Sequence, residues 1–310
     1  MRKGIYCSLL SSVSFALLYY TVTLMAPLSG LELLGLRSVI LLPALVLIVF
    51  LLRLGGQVDR LLTQVKTHKK RILAPLFTAA LVGSLQWLFF WAPLNGKALD
   101  ASLGFFLLPL LMVVFGTLVY KERITFFKGL AVLLAFIGVA NMVWQSGGIS
   151  WVALCVSFGY TLYIAVRKKF SYNNLGGLLV ETFFILPFAV YLVIRGSLAL
   201  NEAFVINSSL VWVLPMFGVI SVCSLCLYIM ASDLLPMGMF GLLSYIEPVL
   251  LFFVSLYVGE MPQDGEIYTF ILLALALLVL GFEGAKSIRH ELRMRRQLKK
   301  SRQEAAQEGE

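Results

Sequence analysis

Glu247 stands against Pro248 inside SYIEPVLLFFVSLYVGE (244–260), part of an apolar run long enough to cross a bilayer. An ionised acid at that depth costs on the order of 3 kcal/mol even on the lenient insertion scale. It must therefore face a cavity, pair with a cation, or be protonated and hydrogen-bonded between helices. A cavity-facing acid could bind a cationic group of a solute or carry an exchangeable proton. A neutral acid held between helices would be structural. Other polar groups share this setting. Arg37 and Glu181 each lie six residues before a proline, Pro43 and Pro187. GSLQWLFFWAPLNG (83–96) carries Gln86 beside Trp87, with Trp91 on the same helical face and Asn95 at its far end. Tyr19, Tyr20, Tyr160, Tyr163 and Tyr245 add hydroxyls to apolar runs. Such a set suits a mostly apolar or amphipathic solute. Structural fixing or snorkelling accounts for Arg37 equally well.

The elements that must position these residues are membrane spans. The chain of 310 residues is 60% hydrophobic and 13% charged, far from the balance of a soluble domain. Ten apolar stretches recur, approximately 4–25, 33–53, 72–93, 99–120, 126–144, 150–166, 176–194, 210–231, 237–258 and 267–285. The N-terminal stretch is read as a retained helix, because it lacks a small-x-small cleavage site. Cys7, Cys155, Cys223 and Cys226 all fall within spans and form no disulfide framework. His68 and His290 lie in basic connecting segments, and neither a Walker A loop nor HExxH occurs, so catalytic signals are poor.

The net charge of +9 is a matter of placement. With both termini cytoplasmic, 22 of the 25 Lys and Arg fall on the inner side, Lys97 and Arg195 fall outside, and Arg37 lies within a span. Trp144, Trp151 and Trp212 then sit at the outer interface. The charge is topological, and no nucleic acid is expected as a partner.

The chain also repeats itself. VSFALLYY (13–20) resembles VSFGYTLY (156–163), RSVILLPALVLIV (37–49) resembles ETFFILPFAVYLV (181–193), and Pro109 corresponds to Pro248. Five spans per copy oblige the second copy to enter the membrane from the opposite side. Inverted repeats are a common build of secondary transporters, with the solute site near the midplane. Pro109 and Pro248 each free a backbone carbonyl, which in lipid must be met by a neighbour or a wet cavity. The helices that carry them should face the interior.

The acid that closes each fourth helix, in YKERIT (120–125) and VGEMP (258–262), resembles EamA-type members of the drug/metabolite transporter superfamily. WAPLNGKALDASLGFFLLPL (91–110), GLLVETFFILP (177–187) and FGLLSYIEP (240–248) are similar to motifs of its RarD-like branch, with Phe105 in place of a tyrosine. Two departures stand out: many branch members carry a small residue at the place of Glu247, and the first helix lacks the branch's Trp-Gly. The resemblance implies a multi-pass bacterial inner-membrane exporter or facilitator of small metabolites. It also implies a cavity lined by helices one, three, four, six, eight and nine.

The expectation is thus an all-α integral membrane protein of ten transmembrane helices. Residues 1–145 and 146–286 form two inverted five-helix repeats, and 287–310 a basic then acidic tail. It should act as a secondary transporter by alternating access, with an intramembrane enzyme or a nontransporting receptor or assembly subunit as the alternatives. Tyr19, Gln86, Trp87, Tyr163, Tyr245 and Glu247 are the candidate solute-binding residues. Arg37, Glu181, Asn95, Pro109 and Pro248 are structural or gating candidates. No cofactor or metal is expected; the partners are a small solute and the lipid bilayer, and homodimerisation stays open. The charge pattern makes one direct prediction. With the four native cysteines replaced, Gly148→Cys should react with an impermeant maleimide added outside intact cells. Labelling only after the cytoplasmic side is opened would overturn the topology.

Overall fold

The computed structural model describes residues 2–120, 125–146, 150–235, 243, 246–262, 265, 267–279 and 281–282. Among these residues the regular structure is entirely helical. The helices are α1 (Arg2–Thr23), α2 (Gly30–Leu51), α3 (Gly55–Thr67), α4 (Leu73–Leu94), α5 (Ala98–Tyr120), α6 (Phe126–Ser146), α7 (Trp151–Lys169), α8 (Leu175–Arg195), α9 (Ser197–Ile206), α10 (Leu210–Leu234), α11 (Ile246–Tyr257) and α12 (Ile267–Val279). Five of them, α1, α2, α4, α8 and α10, lie in segments long and apolar enough to cross a membrane. Shorter apolar stretches lie within α5 and α6 and make up α11 and α12.

Local chemistry sets several helix starts. Ser29 and Glu32 form a reciprocal capping box on α2: the Ser29 N–H donates to Glu32 at 2.7 Å, and the Glu32 N–H donates to Ser29 Oγ at 3.4 Å. Glu32 is thereby occupied with its own helix and is no counter-ion for Arg37. Asn174 caps α8, its Oδ1 accepting from Gly177 N at 2.9 Å. The basic stretch after α2, expected as a connection, instead folds into α3. That helix buries Leu61, and its Gln57 side chain accepts the Gly176 N–H at 3.1 Å. An amphipathic basic helix of this kind suits a membrane surface. The stretch after α8 likewise forms the short helix α9.

Packing is by close helix pairs. α1 lies against α10, α2 against α8, α4 against both α7 and α8, and α5 against α7 and α11; α11 also touches α1, and α10 touches α2. Small residues permit these approaches, as expected where lipid tails offer no hydrophobic drive between helices. α6 and α12 are joined by a polar contact: Asn141 donates to Gly265 O at 3.0 Å and to Thr269 Oγ1 at 3.1 Å, while Thr269 donates to Gly138 O at 3.0 Å. Facing outward are Phe50 at 78% exposure, Trp144 at 90% and many other large apolar side chains. So much exposed apolar surface fits a lipid environment.

The α5–α7 contact gives a test. A Cβ on Gly104 would lie 2.7 Å from Val156 Cβ and 2.9 Å from the Ala153 carbonyl, whereas one on Gly83 would meet Ile185 Cδ1 at an ordinary 3.6 Å. Gly104→Ala should lower the melting temperature in detergent, with an overpacking cost of about 1–3 kcal/mol. Gly83→Ala should be neutral or stabilising, because alanine is the better helix former by about 1 kcal/mol. Equal effects at the two sites would contradict the close approach.

Candidate solute-binding site

The interior is dominated by rings from five helices. Tyr19 of α1 lies 4.9 Å from Phe89 of α4, and Phe89 lies 5.7 Å from Phe90 and 6.0 Å from Phe105 of α5. Phe105 in turn meets Tyr160 of α7 at 5.6 Å, and Phe90 meets Phe217 of α10 at 5.5 Å. Phe15 bridges Phe89 and Tyr228, at 6.5 and 6.0 Å. Tilted and edge-to-face arrangements such as these add attraction beyond simple burial. Tyr160, Tyr228, Trp87 and Glu247 keep part of their surface open although they belong to this interior. These four side chains outline a candidate cleft between α4, α7, α10 and α11.

Two ionisable groups flank the cleft. Glu247 is half-buried in the first turn of α11, and among the described residues it makes no hydrogen bond or ion pair. Arg37 of α2 is only 3% exposed, and its guanidinium lies over the Phe90 ring at 5.3 Å. Its Nε has no hydrogen-bond partner. Tyr160 stands within electrostatic range of both. Burial against Phe90 removes snorkelling as an account of Arg37.

A second polar cluster joins α4, α7 and α8 at the Arg167 end of the bundle. Glu181 is 0% exposed, yet both of its oxygens are satisfied. Thr78 donates to Oε1 at 2.6 Å, while Tyr163 and Arg167 Nη1 each donate to Oε2 at 2.9 Å. Arg167 also donates to Tyr163 Oη and, through Nη2, to the carbonyls of Tyr172 and Asn174 at 3.2 and 2.9 Å. The Tyr172 and Thr78 hydroxyls share a further bond at 3.0 Å. A buried carboxylate that accepts three donors and is 0% exposed is an anchor, closed off from a solute.

The opposite end, where α4 turns into α5, is fastened differently. Glu260, three residues beyond α11, accepts the Ala98 and Leu99 N–H groups at 2.8 Å each. It thus caps α5 across the bundle, where the helix dipole favours negative charge. Tyr19 donates to the Ala98 carbonyl at 3.2 Å.

The candidates named from sequence are therefore divided among three places. Gln86 (7% exposed) and Trp87 lie on α4 beside the aromatic cluster, with Trp87 6.0 Å from Trp91. Glu247 opens on the cleft. Tyr19 is fully buried, its ring against Phe89 and its hydroxyl engaged with Ala98. Tyr163 belongs to the Glu181 cluster, apart from Gln86 and Trp87. Asn95 ends α4 and donates to Trp91 O at 2.8 Å. The carbonyl of buried Pro248 accepts a long bond from Ser102 at 3.5 Å. Pro109 lies in α5, its side chain outside the described residues, as is all of Tyr245. Sequence reasoning missed Arg167, counted only as a basic residue at a helix end. Its place four residues after Tyr163, on one helical face, was the available signal. Glu260 was seen as a motif acid, without its role as a cap.

Together these features define a polytopic helical membrane protein with an aromatic, charge-flanked cleft. Comparison with known proteins narrows the class. The profile of the EamA-like transporter family matches residues 2–144. An uncharacterized transporter of Pasteurella multocida is 41% identical over 285 residues, which are 92% of this chain and 97% of that protein. The chloramphenicol-sensitive protein RarD of Pseudomonas aeruginosa is 37% identical over 296 residues, 94% of this chain and 97% of its own. One solved crystal structure, 15% identical, superposes with a TM-score of 0.58 over 91% of this chain and 98% of its own, and so shares the fold. The chain belongs to the EamA-like transporter family, in its RarD-like branch.

The Glu181 cluster carries its own prediction. Arg167→Met or Glu181→Gln alone should destabilise the protein by about 3–5 kcal/mol, because each strands a buried partner. The double variant should cost clearly less than the sum, giving a coupling energy in a denaturation cycle. Strict additivity would contradict a shared cluster.

Proposed function

We propose that this protein is a secondary transporter that moves a small solute unchanged across a bacterial inner membrane by alternating access between two inverted five-helix halves. The observation that carries the reading is Glu247, an acid without a described partner on an apolar helix, open to an aromatic cleft. A residue so placed is a functional site by default. The helix contacts support the two halves. Exchanging α1 with α7, α2 with α8, α4 with α10 and α5 with α11 turns the α1–α10 contact into α7–α4. It likewise turns α5–α7 into α11–α1 and α4–α8 into α10–α2, and all of these pairs occur. The α2–α8 and α5–α11 contacts map onto themselves, as pairs on a twofold axis would.

The fastenings fit such a cycle. Glu260 and Tyr19 close the Ala98 end, which the charge pattern assigns to the outside, and the Glu181 cluster closes the Arg167 end. Alternating access requires one to loosen while the other holds. The solute would bind between them at Gln86, Trp87, the Tyr19 ring and Glu247, with Tyr245, two residues before Glu247 in sequence, as a further candidate. Tyr163 would act through the Glu181 cluster at the inner end.

Glu247→Gln separates the roles open to the acid. In reconstituted vesicles, proton coupling predicts loss of pH-driven accumulation while downhill exchange survives. Binding of a cationic solute group predicts weaker affinity at every pH. Wild-type affinity and wild-type pH dependence would make Glu247 structural and remove it from the site. The cargo for these assays would come from comparing metabolites of overexpressing and deletion cells. A compound converted rather than displaced would favour an enzyme.

A further inference from the structure

Among the described residues, Arg37 is a charge without an ionic or hydrogen-bonding partner. It is 97% buried, stacked on Phe90, and joined to no described residue by a hydrogen bond or ion pair. Leaving a guanidinium in that state costs several kcal/mol unless something completes it. No described side chain does so: the carboxylate on its own helix, Glu32, is engaged with Ser29. The other interior arginine, Arg167, is committed to Glu181.

The position of Arg37 is that of a ligand-reading group. Gly30, at the start of α2, adjoins Trp91, and Glu260 beyond α11 binds the start of α5, so both helices have that end at the same level. Counted from that end, Arg37 is seven residues along α2 from Gly30 and Glu247 ten residues back along α11 from Tyr257, or about 10 and 15 Å of helix rise. The two charges thus differ in depth by only about 5 Å, less than the length of a small organic molecule. The charges of both act on Tyr160, and the wall beside them is the Phe89, Phe90 and Phe105 group.

We propose that Arg37 is the anion anchor of the cleft, and that the solute carries a carboxylate on a compact apolar or aromatic body. A planar guanidinium matches a carboxylate through two parallel hydrogen bonds, and Phe90 beneath it fixes the plane of that fork. One guanidinium suits a single negative charge better than a phosphate dianion, which usually recruits a second cation or a helix N-terminus. The body of the solute then lies on the phenylalanine wall, with its far end toward Glu247. This assignment rests on the transporter reading for its purpose but not for its test, which is a binding measurement.

The probes are phenylacetate and the isosteric, uncharged phenylacetamide, added to the purified full-length chain in detergent. The readouts are the melting temperature and the quenching of tryptophan emission. In the wild type the acid should raise the melting temperature and the amide should not. Arg37→Gln should abolish the response to the acid. Arg37→Lys, which keeps the charge but not the fork, should weaken it about tenfold. Arg195→Gln, at an exposed site, should leave it unchanged. Should Arg37→Gln not fold, the lysine variant decides, since a purely structural arginine would alter basal stability and leave the response to the acid intact. Equal effects of acid and amide, an acid response that survives loss of the fork, or no response in the wild type would each overturn the anchor. Vesicle assays keep this result apart from the transporter reading. Acid-selective binding without transport of any solute would sink transport and leave the anchor standing. Transport indifferent to Arg37→Lys would do the reverse.

Discussion

A charge in hydrocarbon costs on the order of 3 kcal/mol on insertion scales and far more on an isolated helix, so each interior charge needs a local answer. Three such places organise this fold, and they are answered differently. Glu181 and Arg167 are buried and matched by each other, with Thr78, Tyr163 and two backbone carbonyls around them, and only Nε of Arg167 is left without a partner. Glu260 leaves the bilayer core and neutralises the start of α5. Arg37 and Glu247 have no such answer among the described residues, and both border the one region where Tyr160 and Trp87 stay partly open. The aromatic cluster holds that region in shape while leaving its charges unfilled.

The two fastened ends differ in kind, and the difference bears on motion. The Glu181 cluster is buried and multiply bonded, so separating α7 from α8 would strand a charge in low dielectric. The Glu260 cap joins a carboxylate to backbone N–H groups at a helix end, where water can replace it at less cost. If the halves rock, the Ala98 end is the easier to open, and the Arg167 end needs something to offset its loss. A charge-bearing solute in the cleft could supply that offset only by binding one arrangement better than the other.

Much of this was legible from residue types and spacing. Spans announce themselves by length and hydropathy, so every helix but α3 and α9 falls where an apolar stretch stands, and Glu247 and Arg37 were conspicuous as interior charges. What could not be read was which polar groups meet. Tyr163 carried a hydroxyl on a plausible face, and only the packing of α7 and α8 together on α4 shows it turned to Glu181. Arg167 looked like one of three basic residues marking the end of a span, because partnership across helices leaves no local pattern. α3 and α9 were missed since connecting segments have no length or polarity rule that separates a short surface helix from a loop.

The proposed duplication gives these differences a common origin. Arg37 and Glu181 occupy equivalent positions 144 residues apart, as do Tyr20 and Tyr163 at 143. By the same offset the counterpart of Arg167 is Leu24. In the second half, tyrosine and arginine converge on the acid and close it off. In the first half, Tyr20 packs on Tyr257 at 5.5 Å, Leu24 offers no charge, and the residue at the acid's position is itself a cation. One copy of the element has therefore become a closed ionic anchor, while the other keeps its charge and lacks the groups that would satisfy it. If the two elements are copies, the change of residues that gave the first half its cation also left that cation without the tyrosine and arginine that close off Glu181.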